Sequence, residues 1–263
     1  MPAGSRRIRH ALAAAGAALL ALAGAQAADV SREQLVQGLA PTTAGKGDFD
    51  GKDLSDLDLS GLDLRRGSFK GASLFGSKLV SADLRGVELG GANLNGAWLM
   101  GADFSGAQLR EASLLSVVVL GGEVKKMPKF RNADLRGAKI IADLPGADLS
   151  GADLRGARIG VNIRNQGMGQ MRTDLTGATL AGANLAGADL NRTLLPFANL
   201  RDSNLRGANL FRAKLAGADL TGADVSEADF SEADLSGTML RGAKGLEQAK
   251  GLDRAENLDK AIR

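Results

Sequence analysis

Three acids recur at intervals of twenty residues: Asp63, Asp83 and Asp103. If residues twenty apart stack, their carboxylates form a column able to hold a hard cation such as Ca²⁺. Arg65 and Arg85 stand two positions further on, and the same stacking lets them neutralise the column. Arg192, Arg212 and Glu232 form a second series, which reads as a solvated ion-pair ladder of small energetic value. A basic set lies mid-chain: Lys125, Lys126, Lys129, Arg131, Arg155, Arg158, Arg164 and Arg172. Residues 121–172 carry 10 basic and 5 acidic side chains, against 9 and 12 in residues 28–120 and 11 and 13 in residues 173–263. Such a zone can attract an anionic lipid or polysaccharide surface; a local fluctuation on a balanced surface is the plainer account. Leu194, Pro196 and Phe197, with Phe211 nearby, read as an exposed apolar patch of the kind that marks protein contact. Trp98 and Phe75 also fall on outward positions.

Other chemistry is excluded by what is missing. Arg6, Arg7, Arg9 and His10 precede an apolar run, Ala11 to Ala25, and a small-x-small site at Ala25-Gln26-Ala27. That is the pattern of a secretory signal peptide, with cleavage expected before Ala28 and a periplasmic or secreted product. Of 33 Lys and Arg, three lie within residues 1–27, while all 30 Asp and Glu lie beyond them, so the mature chain is expected to be neutral. Its one His would leave with the leader, and it has no Cys or Tyr. No histidine base, Ser-His pair, Cys nucleophile or Cys/His zinc site can be built from the remainder. No enzyme, cofactor or metal centre is expected.

The dominant signal is a period of five. A large apolar residue returns from Phe49 through Leu54, Leu59 and Leu64 to Val119. It resumes at Phe130, Leu135 and Ile140, takes one four-residue step to Leu144, and continues to Ile159. The longest clean run of the second half goes from Leu175 to Leu240. Two positions before each lies a small residue, as at Ala178, Ala183 and Ala188; Asp or Asn sits between, as at Asp189 and Asn199; Gly often follows by two. Spacing the small and large residues by two points both to one face of an extended segment. The remaining three residues suffice to turn a corner. Both can point inward in every unit only if the chain coils, one unit per side. Four sides give about 20 residues per coil and about nine coils at the ~4.8 Å strand spacing. Leu fills the centre and Ala leaves it room.

The pattern A-[DN]-L-x-x, written in Ala183-Asn184-Leu185, Ala188-Asp189-Leu190 and Ala218-Asp219-Leu220, resembles the pentapeptide-repeat proteins. The resemblance covers residues 47–243 and implies an all-β fold, a right-handed quadrilateral parallel β-helix. Leu57 and Leu62 depart from it by replacing the small residue, so the early coils are expected to be distorted.

Open solenoid ends require short capping segments. Ser31-Arg32-Glu33-Gln34 reads as a capping box opening a helix to Leu39 within an N-terminal cap and linker, residues 28–46. Residues 244–263, where the period becomes six, read as a C-terminal cap, helical from Arg254, or as a homodimer interface. Gly- and Pro-bearing interruptions near 120–129 and 160–173 read as loops.

These readings point to an exported, non-enzymatic scaffold whose partner is another protein; nucleic acid is not expected. Two alternatives have other origins. Some members of the resembled family mimic DNA and bind type II topoisomerases, which needs a long acidic face that this neutral chain lacks. Other β-helices bind or cleave acidic polysaccharides, for which the Asp column and basic zone offer residues but no converging site.

Overall fold

The computed structural model describes residues 28–41, 45–119, 126–161 and 172–263. The signal-peptide reading and parts of both loop readings fall on residues outside these. Helix α1 (Arg32–Leu39) precedes four short strands: β1 (Gly47–Asp48), β2 (Gly67–Ser68), β3 (Ser113–Leu115) and β4 (Lys139–Ile141). Most pairing is carried by single parallel bridges, one per five-residue unit, which in the regular stretches join a residue to the one twenty further on. Four bridges therefore fall in every twenty residues, and the chain forms a stacked parallel coil with four bridged sides.

The sides can be followed by their outward residues. The first runs from Asp48 through Ser68 and Glu88 to Lys244; the second from Asp53 through Ser73 and Asn93 to Lys250. On the third, Asp58, Lys78, Trp98 and Val118 precede Asp143, Asp174, Leu194, Lys214, Asp234 and Glu256. The fourth starts at Asp63, Asp83 and Asp103 and ends at Ile262. Two register changes mark the interruptions. Asp103 bridges Lys129, a step of 26, and Asp143 bridges Asp174, a step of 31; Lys129 to Asp148 is a step of 19, which absorbs the four-residue unit. The stack keeps its sides through all three.

Each unit pairs in both directions. Leu54 N–H donates to Ser73 O (2.8 Å), and Ser73 N–H donates to Lys52 O (2.9 Å). At each corner a 3-residue reverse bond closes a turn, as from Ala72 N–H to Phe69 O (3.1 Å). The second corner residue has positive φ, which favours Gly: Gly86 has φ 69° and Gly207 φ 64°. The large residue is buried in every unit from Phe49 to Leu240, and the small residue in most of them. Aromatic rings stack where they coincide, Phe49 on Phe69 (5.3 Å between centroids) and Phe104 on Phe130 (5.0 Å). Some units use a hydroxyl residue at the small position. Ser77 Oγ donates to Leu74 O and Thr238 Oγ1 to Leu215 O (both 2.8 Å), whereas the buried hydroxyls of Thr193 and Ser203 have no partner.

Two expectations are corrected. Leu57 and Leu62 do not distort the first coil; Asp58↔Lys78 and Asp63↔Asp83 bridge in regular register. That coil has repeat neighbours on one side only, so larger side chains fit, and both pack half-buried against the core. Residues 244–263 are not helical from Arg254. Lys244, Lys250, Glu256 and Ile262 bridge the level below, so six-residue units lay down another coil, with 3₁₀ turns at Leu252–Arg254 and Leu258–Lys260 taking up the extra length. At the other end Ser31 caps α1 through a capping box, and Leu35 and Leu39 are buried in the core.

Candidate functional site

The outward residue of each unit is mostly Asp or Asn, and its first task is local. Its side-chain oxygen accepts from the backbone N–H two residues on: Asp53 from Ser55 (2.9 Å), Asp83 from Arg85 (3.2 Å), Asn209 from Phe211 (3.1 Å), Asp229 from Ser231 (2.9 Å). This is an Asx turn, which satisfies a corner donor and fixes the bend. Sequence reasoning treated these acids as surface charge; the regular spacing to the corner was the signal that identified them as turn-formers.

The carboxylate column exists, with Asp63 bridged to Asp83 and Asp83 to Asp103. It is already occupied by protein cations. Arg65 donates to Asp63 through Nε (2.8 Å) and Nη2 (2.6 Å) and reaches Asp83 Oδ2 at 3.3 Å; Arg85 grips Asp83 in the same two-pronged way. Lys129 lies 3.6 Å from Asp103. The Arg65 hydrogen bond holds the Asp63 carboxyl down to about 2, and hydrogen bonds from Lys46 and Lys70 do the same for Glu88 on the first side. Among the described residues no cluster of acids could hold a metal ion.

The basic set is dispersed. Lys129 and Arg131 pair with Asp103 and Asp148 on the fourth side, Arg155 pairs with Asp153 (2.7 Å) on the first, and Arg158 lies on the second. Lys126 and Arg172 are exposed elsewhere, while Lys125 and Arg164 lie outside the described residues. In the ladder at the other series, Arg212 Nε meets Glu232 Oε2 at 2.6 Å.

The apolar residues show a clearer pattern. Leu194 sits on the third side, half-buried, and Pro196 and Phe197 turn the corner beyond it. Phe211 turns the opposite corner one level on, with Lys214 between. The expected patch is thus spread across the full width of one side. Phe197 is 72 % exposed and has φ +57°; a Cβ on Gly217 would come within 2.7 Å of its ring, so the ring lies across that backbone. In the other half of the coil, Trp98 (39 % exposed) stands on the same third side and Phe75 (50 % exposed) on its corner. All outward-facing aromatics of the chain therefore belong to the third side or its two edges. Trp98 and Leu194 lie four levels apart, about 19 Å at the strand spacing.

Among the described residues no helix is long and apolar enough to cross a membrane. The chain matches the family model of pentapeptide repeats in eight copies, over residues 53–91, 77–115, 142–159, 173–210 and 208–244. No curated protein sequence matches it. Among solved structures it is similar to HetL, a pentapeptide repeat protein involved in heterocyst differentiation regulation from the cyanobacterium Nostoc sp. strain PCC 7120, at 30 % identity over 89 % of this chain and 94 % of that one, with a TM-score of 0.48. It is similar to Rfr23 from the cyanobacterium Cyanothece 51142 at 29 % identity, over 46 % of this chain and 90 % of that one, TM-score 0.24. QnrB1, a plasmid-mediated fluoroquinolone resistance protein, shares 20 % identity over 78 % of this chain and 93 % of its own, TM-score 0.39. The five-residue units, their stacking and the match of the family model over more than half of the residues agree: this chain belongs to the pentapeptide-repeat family.

Proposed function

We propose that this protein is an exported, non-enzymatic scaffold whose coil, right-handed and quadrilateral as the family relation implies, presents its third side to another protein. The observation that carries this reading is the segregation of Phe75, Trp98, Phe197 and Phe211 to that side and its edges. Aromatic side chains are over-represented among the residues that anchor interfaces. Phe197 holds a left-handed backbone conformation that costs a bulky residue free energy, in favour of an outward ring. Capture from an envelope extract tests it: wild-type protein should retain a specific partner that a Trp98→Asp/Phe197→Asp variant with unchanged melting loses. Equal recovery by both ends the reading.

Export rests on residues 1–27. N-terminal sequencing of the protein from its native host should begin at Ala28; a mature chain retaining Arg6 would overturn it. The final coil offers a second contact, because Leu246, Leu252 and Leu258 remain half-buried at its open end. A homodimer formed there would sediment as a monomer after Leu252→Lys.

A further inference from the structure

Above the coil segment Gly207–Asn209, on the second side, lies a recess of about 420 Å³. That volume suits a small ligand. Gly207 and Ala208 line it with little or no side chain, while Phe211, Glu227 and Asp229 stand around them with Asn191 and Arg192 from one neighbouring level and Lys250 from the last coil.

Most of these groups are held in place by bonds of their own. Arg206 Nη2 donates to Glu227 Oε1 (2.5 Å). Ser231 Oγ donates to Asp229 Oδ1 (2.5 Å), and Arg254 Nη2 in turn donates to Ser231 Oγ (2.7 Å). Asn191 and Asn209 both donate through Nδ2 to Asp189 Oδ1, at 2.7 and 2.9 Å. The Arg212 guanidinium lies 4.9 Å from the Phe211 ring centroid. Arg192 and Lys250 are the exceptions: among the described residues neither side chain has an ion-pair or hydrogen-bond partner. Glu227 is met by Arg206, while Asp229 is bonded only to the neutral Ser231 hydroxyl, so two unpaired cations face one unpaired carboxylate and the unmet formal charge of the recess is net positive. Glu227 Oε2 and Asp229 Oδ2 remain as acceptors, and the Phe211 ring supplies an apolar surface.

We infer that this recess binds an acidic sugar, a pyranose ring bearing a carboxylate. The carboxylate meets Arg192 and Lys250 in charge-assisted hydrogen bonds. Ring hydroxyls donate to the free oxygens of Glu227 and Asp229, and the C–H face of the ring covers Phe211. Lining groups fixed before the ligand arrives reduce the entropy lost on binding. A simple anion would leave the aromatic wall and the carboxylate acceptors unused; a neutral sugar would leave the two cations unmet. This inference is independent of the proposed protein-binding side and uses different residues, apart from the shared corner at Phe211.

Titration calorimetry on the full chain tests it with trigalacturonate, triglucuronate and the methyl ester of trigalacturonate. At least one free acid should bind saturably and lose affinity as salt is raised. Arg192→Ser/Lys250→Ser should weaken it at least tenfold, and Phe211→Ala about tenfold, with melting temperatures within a few degrees of wild type. Chemical shifts of backbone amides at 207–211 should move on titration, which holds even if one variant folds poorly. Binding of neither acid, equal binding of the methyl ester, or unchanged affinity in both variants would overturn the proposal.

Discussion

The coils before the first interruption, residues 47–119, and those after the second, 173–240, share one bridge pattern and one interior but differ at their corners. In the earlier stack, positive-φ corners without Gly are mostly small polar residues: Asp56, Ser81 and Ser116, with Glu111 the exception. In the later stack they include Arg192, Phe197, Arg212, Glu227 and Glu232. A left-handed conformation costs an L-residue roughly 1–2 kcal/mol. The same architecture therefore tolerates more backbone strain in the later stack, and that strain carries long side chains outward around the recess and the third side. The lesson is that the interior decides the conformation, and the corners accept whatever residue the surface requires. Both stacks carry ion pairs, but in the earlier one they are made from residues off the strained corners, as in Asp63–Arg65 and Glu88–Lys46, whereas in the later one Arg212–Glu232 joins two such corners.

Substitutions in the shared interior carry the largest expected effect. Leu84→Ala and Leu205→Ala each remove a fully buried side chain. Each should cost about 2–5 kcal/mol in denaturant unfolding. If the interiors are equivalent the two values will agree; a deficit at Leu205 alone would mean that the later coils are held by something other than their core.

Corner glycines come next. Gly86→Ala and Gly207→Ala meet no neighbour within 4 Å, so both should lose only the backbone term, roughly 1–2 kcal/mol. Gly217→Ala should lose more, because its Cβ meets the Phe197 ring. In the reverse direction, Arg192→Gly relieves strain without breaking an ion pair and should raise stability by about 1 kcal/mol. A loss there would refute the claim that the later corners are strained.

A smaller contrast lies within the core. Ser203→Ala removes a buried hydroxyl that lacks a partner and should stabilise by up to ~1 kcal/mol, while Ser77→Ala removes one that donates to Leu74 O and should destabilise by about as much. Thermal melts of the two variants should shift in opposite directions.

The smallest effect should come from pH. Asp63 and Glu88 are held down to about 2, so each favours the folded state above the ordinary carboxylate range near 4. That contribution is fully present at neutral pH and is lost as pH falls from about 4 towards 2. The pairs are largely solvent-exposed, so the change should be modest. Hydrogen exchange followed by mass spectrometry should show residues 59–90 losing protection over this window, and the loss should be smaller in Arg65→Gln.

The five-residue period made the interior legible, because only one arrangement buries both Leu and Ala in every unit. It made the Asp63–Asp83–Asp103 column legible for the same reason. The shared side of Trp98 and Leu194 was hidden. They are 96 residues apart, not a multiple of twenty, and they align only because the steps of 26, 19 and 31 together add 16 residues over four levels. Those steps are set by where the coil closes after each interruption, which composition does not reveal. The final coil was hidden because a period of six, with 3₁₀ turns at its corners, carries the signature of a cap. The recess was hidden because its walls come from segments as distant as Asn191 and Lys250, and its charge becomes evident only when each ion pair is known.

The last coil has sides of six residues, yet each keeps one parallel bridge to the five-residue level beneath it, and two of its corners absorb the added residue as a 3₁₀ turn. Length at the corner and pairing along the side are therefore separable in this architecture. A lineage of such chains can gain or lose a residue at a bend without shifting the rungs on either side of it.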